Sequence, residues 1–266
     1  MNKRREKNAP SRAARQLGIV LALTLSTILT ACGDDGALEG LATGRQARVD
    51  TSVSGDELKL DDGQVVRLAG VEAPKAGAPY ADAARDTLAR LAGGRRVNLL
   101  YGGARTDPFG RPVAQVRTVD GHVWLEGALL DQGAVRVRTF ADNRALARAM
   151  LQREARARAA HRGLWALDAY KVRLPEEVTP DDHGLTVVEG RVAGVGRDRA
   201  GDVYLDFTPD WHSGVSAEIP RAALRDFRAA GLDPADLQGR LVRVRGAIHG
   251  LRLALDHPEQ IERLKG

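Results

Sequence analysis

The run GDELKLDDGQVVRLAGVEAPK, residues 55–75, decides how the first half of the chain folds. Its first seventeen residues read as two extended segments about the turn Asp61, Asp62, Gly63, which predicts a β-hairpin. Downstream, residues 79–92 carry Ala84, Leu88 and Leu91 at helical spacing and stop at Gly93 and Gly94. Strands are expected over 95–101 and 112–119, and helices over 124–133 and 143–162. In the last of these Ala147, Leu151, Ala155 and Ala159 recur every four residues as an apolar stripe. Its arginines, Arg148, Arg153, Arg156, Arg158 and Arg162, read as a solvated face, with a phosphate-attracting surface as the alternative. Trp165 reads as a core anchor.

Residues 171–184, KVRLPEEVTPDDHG, combine two prolines with an acidic cluster and are expected to be a linker between residues 45–170 and 185–266. The second block predicts strands at 185–195, 203–207 and 215–219, a helix at 221–230, then strands at 240–248 and 251–255. A short turn begins at Asp233, with Pro234 at its first helical position. Three strands, a helix and two strands is the order of a five-stranded OB barrel. The fold class expected is therefore mainly β with helices, α+β, as two barrels in tandem.

Outward from the folded blocks, residues 1–31 read as an export signal: basic residues run into an apolar segment at 17–29. The apolar run is shorter than the ~20 residues of a spanning helix. Leu29, Thr30, Ala31 and Cys32 resemble a lipobox, which makes Cys32 the expected lipidation site. Cys32 is the sole cysteine, so no intrachain disulfide is available. Residues 32–44, small and acidic, are expected to tether the protein to a membrane of a bacterial cell envelope. The leader's six basic residues against one acidic account for the whole net charge of +5. The chain from Cys32 is balanced, so overall basicity does not argue for nucleic acid. The excess of base is local: residues 45–170 hold 20 basic against 15 acidic side chains.

Three local patterns, SGDELKL, RLAGVEAPK and DPFGR, together with the ending ARAAHRGLW, resemble the staphylococcal nuclease (thermonuclease) family over residues 45–170. The resemblance implies an OB barrel with packed helices and a calcium-dependent phosphodiester hydrolase. In that chemistry a cation and arginines stabilise charge on phosphorus oxygens, and a carboxylate takes the proton of water. By resemblance the metal ligands are Asp56, Glu72 and the carbonyl of Ala73, and the phosphate arginines are Arg67 and Arg111. Glu72 stands where the family has aspartate, and one extra methylene shifts the carboxylate. Lys75 stands where the family has its water-activating glutamate. An ammonium cannot accept a proton at neutral pH and opposes a nearby cation, so calcium is expected to bind weakly. Glu57, beside Asp56, is expected to point to the opposite face; Asp82 is another acid within the first block.

These readings leave three functions open: a degenerate nuclease that binds nucleic acid or another phosphate-bearing ligand, an active calcium-dependent phosphodiesterase, and an envelope lipoprotein whose second barrel binds protein partners. The second block offers Tyr204, Phe207 and Trp211 near Arg197 and Arg199, either as a base-stacking surface or, for Phe207 and Trp211, as core. His183 and His212 have no neighbour at metal-ligand spacing.

Overall fold

A computed structural model describes residues 35–107, 109–210 and 212–265. The expected signal segment, Cys32 and Trp211 lie outside them. The described residues belong to one compact unit, Gly33–Gly266. It contains two large hydrophobic cores, one around Leu58, Leu68, Leu99 and Trp124, the other around Val188, Leu205, Phe227 and Val244.

The first core fills a closed barrel. After a short helix α1 (Asp35–Leu38), the strands are β1 (Ala42–Ser52), β2 (Glu57–Leu60), β3 (Val65–Leu68), β5 (Arg96–Tyr101) and β6 (Val113–Thr118), ordered β1-β2-β3-β6-β5 around the ring. β1 serves two neighbours: Val49–Ser52 face β2, while residues 42–48 face β5. Register shifts between Thr43 and Gln46 and between Val49 and Thr51 bend it enough to do so. The expected hairpin is β2 and β3, joined where Asp62 accepts the Gln64 amide and Gly63 takes φ 82°. Helices α2 (Ala81–Ala92), α3 (Leu125–Asp131) and α4 (Ala147–Ala159) complete this half. A two-stranded pairing of β4 (Val71–Glu72) with β7 (Arg136–Val137) lies beside the barrel.

Two expectations need correction here. Ala42 and Thr43, read as tether, pair with Tyr101 and Leu100, and Leu38 is buried, because the apolar Leu38 has a core to join. The buried face of α4 is Ala147, Met150, Glu154 and Ala157, not the alanine and leucine stripe every four residues. A carboxylate sits in that face because a guanidinium from the second barrel meets it: Arg245 Nη2 lies 2.7 Å from Glu154 Oε2.

The second core lies in a seven-stranded sheet of β8 (His183–Arg191), β9 (Gly194–Arg197), β10 (Val203–Asp206), β11 (Ser216–Ile219), β12 (Leu241–His249), β13 (Arg252–Ala254) and β14 (Ile261–Arg263), with helix α5 (Leu224–Ala229) after β11. Five strands were expected. The first is broken at Val192 and Ala193 into β8, which pairs β12, and β9, which pairs β10. β14 is an added strand on β12. Taking β8 and β9 as one strand, the path β9-β10-β11-β13-β12-β8 returns to its start, with β11 and β13 parallel and the other pairs antiparallel. Residues 171–184, expected as a linker, are bound to the second sheet: Arg173 exchanges backbone bonds with Val187 and Glu189, and its guanidinium meets Asp182.

Candidate anion-binding cleft

The β2–β3 hairpin places Arg67 at the barrel surface, and the chain then turns at Gly70 towards β4. Gly70 has φ 76°, and a Cβ there would lie 2.7 Å from Met150 Sδ, so only glycine suits the turn. β4 carries Glu72 and pairs it with Arg136. The turn that follows brings Lys75 to the surface. Across from these, Asp107 organises a loop by accepting the amides of Phe109 (2.9 Å) and Arg111 (3.0 Å), with Gly110 at φ 76°. The loop delivers Phe109, 84% exposed, and Arg111.

A cleft of about 410 Å³ results, and its lining includes Arg67, Glu72, Lys75, Arg111, Arg138 and Phe140. Four of the residues expected at a site, Arg67, Glu72, Lys75 and Arg111, therefore share one cavity. Asp56 and Ala73 are buried: Asp56 Oδ2 accepts the Ala73 amide at 3.2 Å and lies 3.7 Å from Arg67 Nη2. Ser54 Oγ donates to Asp56 Oδ1 at 2.7 Å.

Arg111 is held by two carboxylates: Nε donates to Asp107 Oδ2 at 2.7 Å and Nη1 to Glu57 Oε1 at 2.5 Å. Glu57 thus points to the cleft loop and bonds an arginine there. Burial by itself raises the Asp107 carboxyl, but the bonds from Arg111 and Phe109 outweigh it and hold the group below its ordinary value. The hydrogen bond to Asp107, ahead of the charge of Glu57, raises the already high Arg111 guanidinium.

Glu72 is held by Arg138, which donates to its Oε2, and Arg136 Nη2 stands 3.7 Å from Oε1. Arg138 escaped the sequence reading. The stretch AVRVRTF, residues 134–140, alternates charged and apolar residues at strand period and was the available signal. Only two of its residues form regular strand, β7. Lys75, by contrast, is exposed and makes no ion pair among the described residues.

Calcium on Asp56, Glu72 and the Ala73 carbonyl does not fit this arrangement. The Glu72 carboxylate is bonded to a guanidinium, and Arg67 flanks Asp56, so two fixed cations stand where a dication would need two ligands. Among the described residues no three His, Cys, Asp or Glu side chains are grouped to hold a metal ion. What the cleft can do is receive an anion: guanidinium forks match phosphate oxygens, and Lys75 adds an unpartnered charge. Phe109 and Phe140 lie within about 6 Å of Arg111 and Arg138, as aromatic faces beside them.

In the second barrel, Phe207 is core, Tyr204 donates to Asp198, and Arg252 covers the Tyr204 ring at 5.2 Å. Residues 65–167 match the family model described as Staphylococcal nuclease homologue. The match contains Arg67, Glu72, Lys75, Arg111 and Arg138 and begins after Asp56. No curated protein matches the chain.

Proposed function

With residues 65–167 forming a domain of the staphylococcal nuclease family, we propose that this protein is a degenerate nuclease whose cleft binds phosphate-bearing ligands, single-stranded nucleic acid above all, without cutting them efficiently. One observation carries the reading. The carboxylates that hydrolysis would recruit are bonded to guanidiniums, Glu72 to Arg138, Glu57 and Asp107 to Arg111, and a lysine occupies the position of the base. The residues can bind and orient a phosphodiester through Arg67, Arg111, Arg138 and Lys75. At the position of the family's base they offer the attacking water an ammonium, which accepts no proton. Exposed Phe109 and Phe140 favour single strands, whose bases are free to stack.

Asp142 supports a second reading, an active phosphodiesterase. It lines the same cleft, is exposed, and has no side-chain partner among the described residues. Residual hydrolysis would pass its proton there, and Asp142→Asn would abolish it.

We also propose that Cys32 is lipidated and anchors the protein in a bacterial envelope, on the strength of the lipobox-like sequence. No helix among the described residues is long and apolar enough to cross a membrane.

The binding reading is tested with a fluorescent single-stranded oligonucleotide titrated at several salt concentrations. Arg67→Ala and Arg138→Ala should each weaken binding, and each should lower the salt slope by about one phosphate contact. Salt-independent binding, or none, would dismiss it.

A further inference from the structure

The first barrel carries an open hollow of about 360 Å³ whose lining includes Arg45, Gln46, Arg48, Asp61 and Arg96. It shares no lining residue with the cleft. The pairing of β1 with β5 builds it: Gln46 stands opposite Asn98, and Arg48 opposite Arg96. Arg117 on β6 stands opposite Asn98 in turn and adds a further cation to this face. Arg48 and Arg96 are both exposed, and like charges directly opposite on a sheet repel. Among the described residues neither is neutralised. Arg48 makes no ion pair, and Arg96 donates to the uncharged Gln46 Oε1 at 3.1 Å. Arg45 is engaged by Asp62 at 2.7 Å, which leaves Asp61 as the acid of the lining. Such a pair opposes folding and is relieved by a negatively charged surface laid across it.

The chain just before the barrel says which surface. Cys32 precedes Asp35 by three residues, a span of at most ~11 Å. At Leu38 the chain is already buried in the first core, and at Ala42 it is paired in β1. A lipid on Cys32 would therefore tie this barrel closely to the headgroups, and Arg45 and Arg48 lie on the strand into which that tie leads.

We propose that this face of β1 and β5 docks on an anionic lipid bilayer, with headgroup phosphates received between Arg48 and Arg96. The proposal rests on the lipidation reading of Cys32 and adds the surface that meets the membrane. Guanidinium forks match phosphate oxygens, and each basic side chain at an anionic leaflet adds its own attraction, which salt screens. The lipid keeps the protein at the membrane; the arginine face fixes how it lies there.

The test is sedimentation of residues 33–266, the compact unit that holds both cores, with vesicles of phosphatidylcholine alone and of phosphatidylcholine with phosphatidylglycerol in equal parts. The wild type should bind the anionic vesicles, more weakly as salt rises, and leave the neutral ones. Arg48→Ala and Arg96→Ala should each weaken that binding about fivefold, the contribution of one basic residue at an anionic surface. Their urea midpoints, at or above that of the wild type, show that they are folded. Arg67→Ala, in the cleft, should bind vesicles as the wild type does. Equal binding of the wild type to both vesicles, binding to neither, or equal losses in Arg67→Ala and Arg48→Ala would overturn the docking face. So would Arg48→Ala and Arg96→Ala weakening oligonucleotide binding while vesicle binding stays unchanged, which would give the face to nucleic acid. The lipid anchor is judged separately, by the mass of the full chain extracted from membranes: a diacylglyceryl group on Cys32 leaves the anchor standing whatever the vesicles show, and its absence overturns anchor and docking together.

Discussion

On the proposed reading, Lys75 and Glu72 are the residues at which a hydrolytic site has become a binding site. The cation at Lys75 adds attraction for phosphate where a base would remove a proton, and Glu72 is bonded to Arg138 in place of a metal. Restoring a carboxylate at one position therefore leaves the other engaged. Lys75→Glu should gain no calcium-dependent nuclease activity and should weaken oligonucleotide binding by about the contribution of one phosphate contact, read as a salt slope lower by roughly one. Calcium-dependent cutting by Lys75→Glu would show that Glu72 leaves Arg138 readily and that only the base was missing. At this scale the sequence was informative about which residues gather. Arg67, Glu72, Lys75 and Arg111 all reach one cleft. What it could not reveal is which carboxylates are free, because that depends on Arg136 and Arg138, more than sixty residues from Glu72. For Glu57 the partner, not the face, was out of reach of the sequence. Strand alternation gives its face, but the Asp107–Arg111 loop comes round to meet it.

Among the elements, α4 and β12 carry the contact least accessible to local patterns. Glu154 is fully buried, and its Oε1 accepts the Val137 amide at 2.7 Å while Arg245 and Arg158 meet Oε2. Burial alone would raise the Glu154 carboxyl, but the charge and hydrogen bond of Arg245 dominate and lower it. Helical periodicity reads a glutamate as solvent-facing, so the apolar stripe was drawn to one side of the buried face of α4, sharing Ala147 with it. The strands and turns of the first barrel were legible because their signals are local: the Asp61–Gly63 turn, the Gly93–Gly94 stop, and Asp233 capping Ala235 in the second barrel. We expect Glu154→Ala to cost about 3–5 kcal/mol in urea unfolding, since it leaves Arg245 buried without its main partner. Replacing both with methionine should cost much less than Glu154→Ala. Equal losses in the single and double variants would mean that the pair is not coupled.

For the whole molecule, the two barrels share buried and part-buried polar contacts: Thr139 Oγ1 lies 2.8 Å from His257 Nε2, Arg136 donates to the Leu185 carbonyl at 2.9 Å, and Arg144 meets Glu259 at 2.8 Å. Residues 33–266 should therefore unfold in one transition, and a destabilised group in one barrel should lower the stability of both. Glu126 is the probe. Burial raises its carboxyl to about 8, despite amide bonds from Val116 that favour the charged form. The folded protein thus holds a proton that the unfolded chain releases above its ordinary carboxylate value. The stability this contributes is present at low pH and is lost as pH rises through about 8. Between pH 5 and 8 the wild type should lose on the order of 3 kcal/mol that Glu126→Gln does not lose. Identical pH slopes for the two proteins would refute this, and two separate transitions would refute the coupling of the barrels.

On the proposed reading the cleft binds phosphodiesters and does not hydrolyse them. The most direct measurement incubates the full chain with end-labelled single-stranded DNA and RNA, with calcium and with chelator, and follows bound fraction and strand length in the same samples. Salt-sensitive binding in both conditions and strands that stay intact are expected. Strands cut only with calcium, by an activity lost in Arg67→Ala, would contradict it and identify the protein as a working nuclease.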